Sequence, residues 1–289
     1  EWIEKEEIQI TKKDVLKYLE HLQNNRQQEN ISRKNALIAL NHYFTFLQRS
    51  EAIENTPTAL LKIRGTHKRQ LYRLYTPEEL TQLLDTYYTL FIQKFEERCF
   101  ASRIGGISAN MRQQALLSRQ RNYMMLGLLI YQGLVTNELQ KITVSDIDLN
   151  KASIRIAGGK KSNERKIPLH ASQIGALINY MERIRPQFFA YCNESDKLFF
   201  ALPEGTKSKT STDKLLHVFK PLSTQVKSID KTLVNFKQVR ASVIAHWLKV
   251  EGLRKTQYLA GHRYISSTEK YLPNQIEGLI DDVAKYNPF

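Results

Sequence analysis

The chain has 289 residues, 42% hydrophobic and 25% charged, a composition that argues against a disordered or fibrous protein and suffices for two ordinary domains. No run of about 18 apolar residues occurs, so no membrane span is expected. A balance of 43 basic to 29 acidic residues gives a formal charge of +14, which favours a polyphosphate partner through counterion release.

Cys99 and Cys192 are too few and too isolated for a disulfide framework or a zinc site, which fits a reducing compartment. The N-terminus carries no basic-then-apolar signal. A chain that opens on Glu1 leaves room for a segment upstream.

Thr11 opens a helical pattern with Val15, Leu16, Leu19 and Leu22 on one face. Ser32 reads as the N-cap of a second helix with the stripe Leu37, Leu40, Phe44 and Leu47. These helices predict a small all-helical unit over residues 1–66. A polar, unpatterned connector follows. With its approach it carries Lys62, Arg64, Lys68, Arg69 and Arg73, and it reads as an interdomain linker over 67–75 able to lie across a phosphate backbone.

The second domain, 76–289, opens on Thr76-Pro77-Glu78-Glu79, a capping box with proline at the first helical position. The helix it starts is expected to run into the mid-90s. Residues 101–120, with Gly105-Gly106, read as a loop or insertion, and helical pattern resumes over Arg121–Tyr131 and Thr136–Ile142. Ser153–Ala157 and Arg165–Leu169 flank Gly158-Gly159-Lys160, which predicts a β-hairpin with a glycine turn. From His170 onward the pattern is mostly helical, interrupted by Leu198-Phe199-Phe200. The fold expected is mainly α with a small antiparallel sheet.

The C-terminal third contains Leu259-Ala260-Gly261-His262 and then Ser267-Thr268-Glu269-Lys270-Tyr271, with nine residues from the histidine to the tyrosine. Upstream lie Lys237-Gln238-Val239-Arg240, the hairpin segment Gly159-Lys160 with Glu164-Arg165 and Ile167-Pro168-Leu169, and Gln132-Gly133-Leu134-Val135 with Glu138-Leu139. Together these motifs, in this order, resemble those of the tyrosine recombinases, the phage integrase family. The resemblance covers nearly the whole chain.

It implies a helical core-binding domain and a mixed α+β catalytic domain closing as a clamp on double-stranded DNA. It also implies a homo-oligomer, four protomers holding two DNA sites, with no membrane role. Such a protein would work beside the DNA in the cytoplasm of a prokaryote.

The chemistry the resemblance implies needs no cofactor, metal or ATP. Tyr271 would attack the scissile phosphate and hold the 3′ end. Arg240 would grip two non-bridging oxygens with its planar fork, and His262 would donate to the phosphate. Lys160, on the hairpin turn, would protonate the leaving 5′-oxygen. Lys237 stands where the family has histidine, and Glu138 would orient a basic neighbour. Lys161 adds a second cation beside Lys160. The segment Ile276–Tyr286, with Leu279, Ile280 and Val283 apolar, is expected to pack on its own domain or on a neighbouring protomer.

The family's first catalytic arginine falls on Val135, which has no donor. Lys161, Arg119 and Arg121 are the basic residues open to replace it. Two functions remain: a recombinase of a mobile element, or an accessory protein that binds DNA without cutting it.

Overall fold

The computed structural model describes residues 9–65, 73–101, 108–160, 162–202 and 215–272. Lys68, Arg69, Lys161 and the segment 276–286 therefore lie outside the described residues. The chain divides into two compact units, Glu1–Leu71 and Tyr72–Phe289.

The first unit is built on α1 (Lys12–Asn24) and α2 (Asn30–Arg49). The Asp14 carboxylate accepts from both the backbone N–H and the hydroxyl of Thr11, which fixes the start of α1. Val15, Leu19 and Leu22 close on Leu37 and Phe44 to form its core. Ser32 is not the N-cap of α2. The helix begins three residues earlier than that cap would set it, behind Glu29, whose carbonyl accepts from the Ser32 N–H. Lys62 and Arg64 are exposed at the end of this unit, and the Arg64 carbonyl accepts from Asn30 Nδ2 at 3.1 Å.

In the second unit, α3 (Pro77–Tyr87) starts at the expected capping box. Glu79 N donates to Thr76 Oγ1 at 3.2 Å, and Thr76 N donates to Glu79 Oε2 at 2.9 Å. Wider π-type turns over Tyr88–Gln93 carry the chain into α4 (Lys94–Ala101). The loop expected over 101–120 is mostly helix: α5 runs Ala109–Tyr131, capped by the Ser108 hydroxyl accepting from Met111 N. Its apolar periodicity is hidden for a physical reason. The first half is polar and only partly covered, while Met124 to Ile130 are buried on every side. The helix expected over 136–142 is a single turn, α6 (Thr136–Leu139).

Three short strands follow, β1 (Ile147–Asp148), β2 (Ser153–Ile156) and β3 (Arg165–Pro168), in the antiparallel order β1-β2-β3. The hairpin pairs Ser153 with Pro168 and Ile156 with Arg165. Its loop spans the eight residues 157–164, longer than a tight glycine turn. After α7 (Ala171–Asn179), the run Leu198-Phe199-Phe200 is buried without forming a strand, and Leu198 N donates to Ile142 O. Two long helices complete the unit, α8 (Leu215–Ile229) and α9 (Phe236–Ala260). The latter is kinked at Gly252, where φ is +73°. One turn, α10 (Ser266–Glu269), leads to Tyr271. Among the described residues no helix is long and apolar enough to cross a membrane.

The packing places three chain ends together. The end of α5 packs against α9, α9 packs against β3, and α10 folds back on α9. Gly133, the hairpin and the turn after Ala260 thus meet at one edge of the core.

Candidate active site

Arg240 sits one turn into α9, an end fixed by Asn235, whose side chain accepts from Lys237 N. Its guanidinium is half-buried and held by backbone carbonyls. Nη1 donates to Gly133 O in a short bond, and Nη2 donates to Ala260 O at 2.7 Å. Nη2 also stands 3.3 Å from His262 Nε2. The other ring nitrogen, Nδ1, lies 2.9 Å from the hydroxyl of the fully buried Thr268. The Tyr271 ring stacks near the histidine, with centroids 5.9 Å apart and planes at 13°. Tyr271 is itself half-buried against Ile244, Leu248 and Ala260.

The turn carrying His262 is tied to the hairpin. Asn163 N donates to Gly261 O at 2.9 Å, and Ser162 pairs with His262 in an isolated antiparallel bridge. Lys160 is exposed on that loop, two residues before the bridge. Lys237 is exposed one turn before Arg240 on the same helix. Val135 caps α6, with 38% of its surface exposed and its N–H donated to Glu138 Oε2 at 3.0 Å.

Burial pulls the His262 imidazole down to about 4, and the nearby Arg240 and Arg165 charges push the same way. The ring is therefore neutral near pH 7. Because Arg240 can only donate, Nε2 accepts, which leaves the single ring proton on Nδ1, pointing at Thr268. Burial also lowers Arg240, opposed first by the Glu138 charge and then by Tyr271.

A folded-state pKa below the unfolded value near 6.5 gives the sign of the linkage. Below about pH 6.5 the unfolded chain binds a proton that the folded site refuses until about pH 4. Stability from this group should thus be full above pH 6.5 and fall as the pH drops toward 4. Urea unfolding at pH 7 and pH 5 should show a smaller pH-dependence for His262→Asn than for wild type; equal slopes would show that His262 titrates normally.

Sequence reasoning missed Arg165 as a site residue. Its side chain is completely buried and forms a bidentate pair with Glu138, Nη1 to Oε1 at 2.8 Å and Nη2 to Oε2 at 3.1 Å, while Nε donates to Leu259 O at 2.8 Å. A signal was present: the alternation along β3 puts Arg165 and Ile167 on the buried face. Burial pushes the Glu138 carboxyl up, but Arg165, the Val135 N–H and Arg240 together outweigh it and hold the group below its ordinary range. Thr268 and the Gly133 and Ala260 carbonyls are further contributors that sequence alone did not mark.

Three expected basic residues are engaged elsewhere. Arg121 is buried and donates to Phe200 O at 2.7 Å and to Asn122 Oδ1, and Arg119 packs 3.8 Å over the Phe95 ring. Anchored about 15 Å or more up α5 from its Gly133 end, neither takes the place of an arginine at Val135. Arg73 forms an ion pair with Glu79 at 2.6 Å and donates to Thr232, so it reinforces the start of α3 as well as facing solvent. Among the described residues no group of three or more His, Cys, Asp or Glu is placed to hold a metal ion.

The sequence matches the phage integrase family over residues 104–277. It is 26% identical over 266 residues to the tyrosine recombinase XerD of Staphylococcus epidermidis, covering 90% of this chain and 85% of that protein. It is 29% identical over 281 residues to XerD of Halalkalibacterium halodurans, covering 96% and 82%. In fold it resembles the XerH site-specific recombinase bound to palindromic difH substrate, with a TM-score of 0.65 at 17% identity over 96% of this chain and 73% of that one. It also resembles the Tn1549 transposon integrase in complex with a circular intermediate DNA, with a TM-score of 0.63 at 13% identity over 92% and 81%. The stretch matched to the family holds Glu138, Lys160, Arg240, His262 and Tyr271 alike, and the chain belongs to the phage integrase family, that of the tyrosine recombinases.

Proposed function

We propose that this chain is the recombinase of a mobile element, cutting and rejoining duplex DNA at specific sites through a 3′-phosphotyrosine link to Tyr271. The observation that carries this reading is the convergence of Arg240, His262 and Tyr271 at one edge of the core, beside a hairpin loop bearing Lys160. In this reading the Tyr271 oxygen bonds to phosphorus as the bond to the 5′-oxygen breaks. Lys160 passes its proton to that leaving oxygen, and the phenolic proton goes to water or to the neutral His262 ring. In this tautomer His262 Nε2 accepts a proton, where the sequence led to the expectation of a donor to the phosphate.

Arg240 keeps its bonds to the Gly133 and Ala260 carbonyls and offers its remaining N–H groups to the phosphate, where charge builds in the transition state. Lys237 adds a donor one turn away. The phosphodiester energy stays in the tyrosyl bond, so rejoining needs no ATP. Four protomers would hold two duplex sites, with Lys62, Arg64, Lys68, Arg69 and Lys161 on phosphates.

Val135 favours a second reading, an accessory protein that grips DNA without cutting it. Losing one preorganised donor typically costs about 2.7–4 kcal/mol, or roughly 10²–10³ in rate.

A labelled duplex from the element's end, nicked near the cleavage position so that the cut fragment leaves, separates the two. A covalent protein–DNA adduct formed by the wild type and absent from Tyr271→Phe is the expected result. Tight, salt-sensitive binding with no adduct would establish the accessory reading instead.

A further inference from the structure

We infer that Arg165 is a positioning residue that keeps the Glu138 carboxylate from capturing Arg240. The inference rests on the recombinase reading only for what Arg240 does next. The arrangement itself is a carboxylate paired with one buried arginine and close to a second.

Glu138 is only 10% exposed at its side chain, and Arg165 not at all. Both carboxylate oxygens are taken, one by Arg165 Nη1, the other by Arg165 Nη2 and the Val135 N–H. Arg240 lies close by, and the Glu138 charge favours its protonated form. The two carbonyls it holds belong to Gly133, two residues before the Val135 that caps onto Glu138, and to Ala260, next to the Leu259 held by Arg165. Even so, Arg240 hydrogen-bonds to two carbonyls and to the His262 ring, not to the carboxylate.

The reason is occupancy. Arg165 and the Val135 N–H fill three of the roughly four acceptor sites of this carboxylate, and the arginine already matches its charge, whereas a buried carboxylate without such a partner takes the nearest cation. If Arg165 were absent, that cation would be Arg240. Its fork would then be closed on protein, and the pair would present no net charge to a phosphate. With Arg165 present, two arginines and one carboxylate leave a net positive charge, and the arginine left over is the half-buried one. The need is acute in this chain, because Val135 supplies no second donor.

The same side chain sits on the strand that carries the Lys160 loop, and its Nε holds the Leu259 carbonyl at the end of α9. A purely structural role is therefore the rival explanation, and the test is chosen to separate the two. Single-turnover cleavage of the nicked duplex is measured for wild type, Arg165→Met and the double variant Arg165→Met/Glu138→Gln. Arg165→Met should lose about 100-fold or more, the size of a lost preorganised donor. The double variant, in which no carboxylate remains to hold Arg240, should recover at least about tenfold of that loss.

A double variant as slow as the single one, with its fold intact by circular dichroism, would mean that Arg165 acts only as a structural tie. The wild-type reaction reports separately on the recombinase reading. A crystal structure of Arg165→Met without DNA tests the inference even if wild type does not cleave. Arg240 swung onto Glu138 is the expected result, and Arg240 still on the Gly133 and Ala260 carbonyls overturns it.

Discussion

Arg240→Ala is expected to lower single-turnover cleavage by about 10³-fold, at the upper end for one lost donor and within the range of about 10³–10⁵ seen for an activating arginine. Two observations put it there. Val135 offers no donor, so in the proposed reaction Arg240 would carry the phosphate without a second arginine at that position. Its guanidinium is also preorganised, held by Gly133 O and Ala260 O, with a ring nitrogen 3.3 Å away. Duplex affinity should change by only about threefold, because one cation among many phosphate contacts contributes little to binding.

Arg240→Lys keeps the charge but not the fork. A lysine cannot span both carbonyls and then both phosphate oxygens, so it should remain within about tenfold of alanine. Cleavage by the lysine variant close to wild type would show that charge alone suffices. Cleavage by the alanine variant close to wild type would remove Arg240 from the chemistry altogether.

Much of the fold and of the site is legible in the sequence. The capping box at Thr76, the hairpin strands and the helix through Arg240 follow from local rules, and each formed where the residues dictate. The misreadings have local causes too. The start of α2 carries no side-chain cap, so Ser32 looked better than Glu29. The start of α5 was obscured because its polar half and its fully buried half both lack a stripe.

Side chains named for the site came from motif spacing, and spacing cannot show what lies beneath them. Arg165 stood in the quoted hairpin segment without a role, because its partner Glu138 lies 27 residues upstream and its third bond is to a backbone carbonyl. Long-range carbonyl contacts such as Arg240 with Gly133 leave no mark in composition or period. Arg119 and Arg121 show the converse: basic residues open to fill the gap in the motif are anchored to other elements beside their helix, to the Phe95 ring and to Phe200 O.

Gly261→Ala should destabilise the larger unit by at least about 3 kcal/mol and abolish cleavage with it. The glycine lies at φ +69° and ψ +23°, where a residue with a Cβ costs about 1–2 kcal/mol. A Cβ there would also stand 2.4 Å from Arg165 Nη1 and 2.8 Å from its Cζ. That neighbour cannot swing aside cheaply, since it is fully buried and fastened to Glu138 and Leu259. Moving it breaks a buried ion pair, typically about 3–5 kcal/mol.

The two costs can be separated by a double-mutant cycle in urea. In an Arg165→Met background the clash is relieved, so Gly261→Ala should cost only the backbone share of about 1–2 kcal/mol. An equal cost in both backgrounds would place the whole effect in the turn and none in the arginine. The unequal result would show why His262 follows a glycine here. The turn must pass directly over the buried arginine to set the imidazole beside Arg240, and only a residue without a side chain leaves room for both.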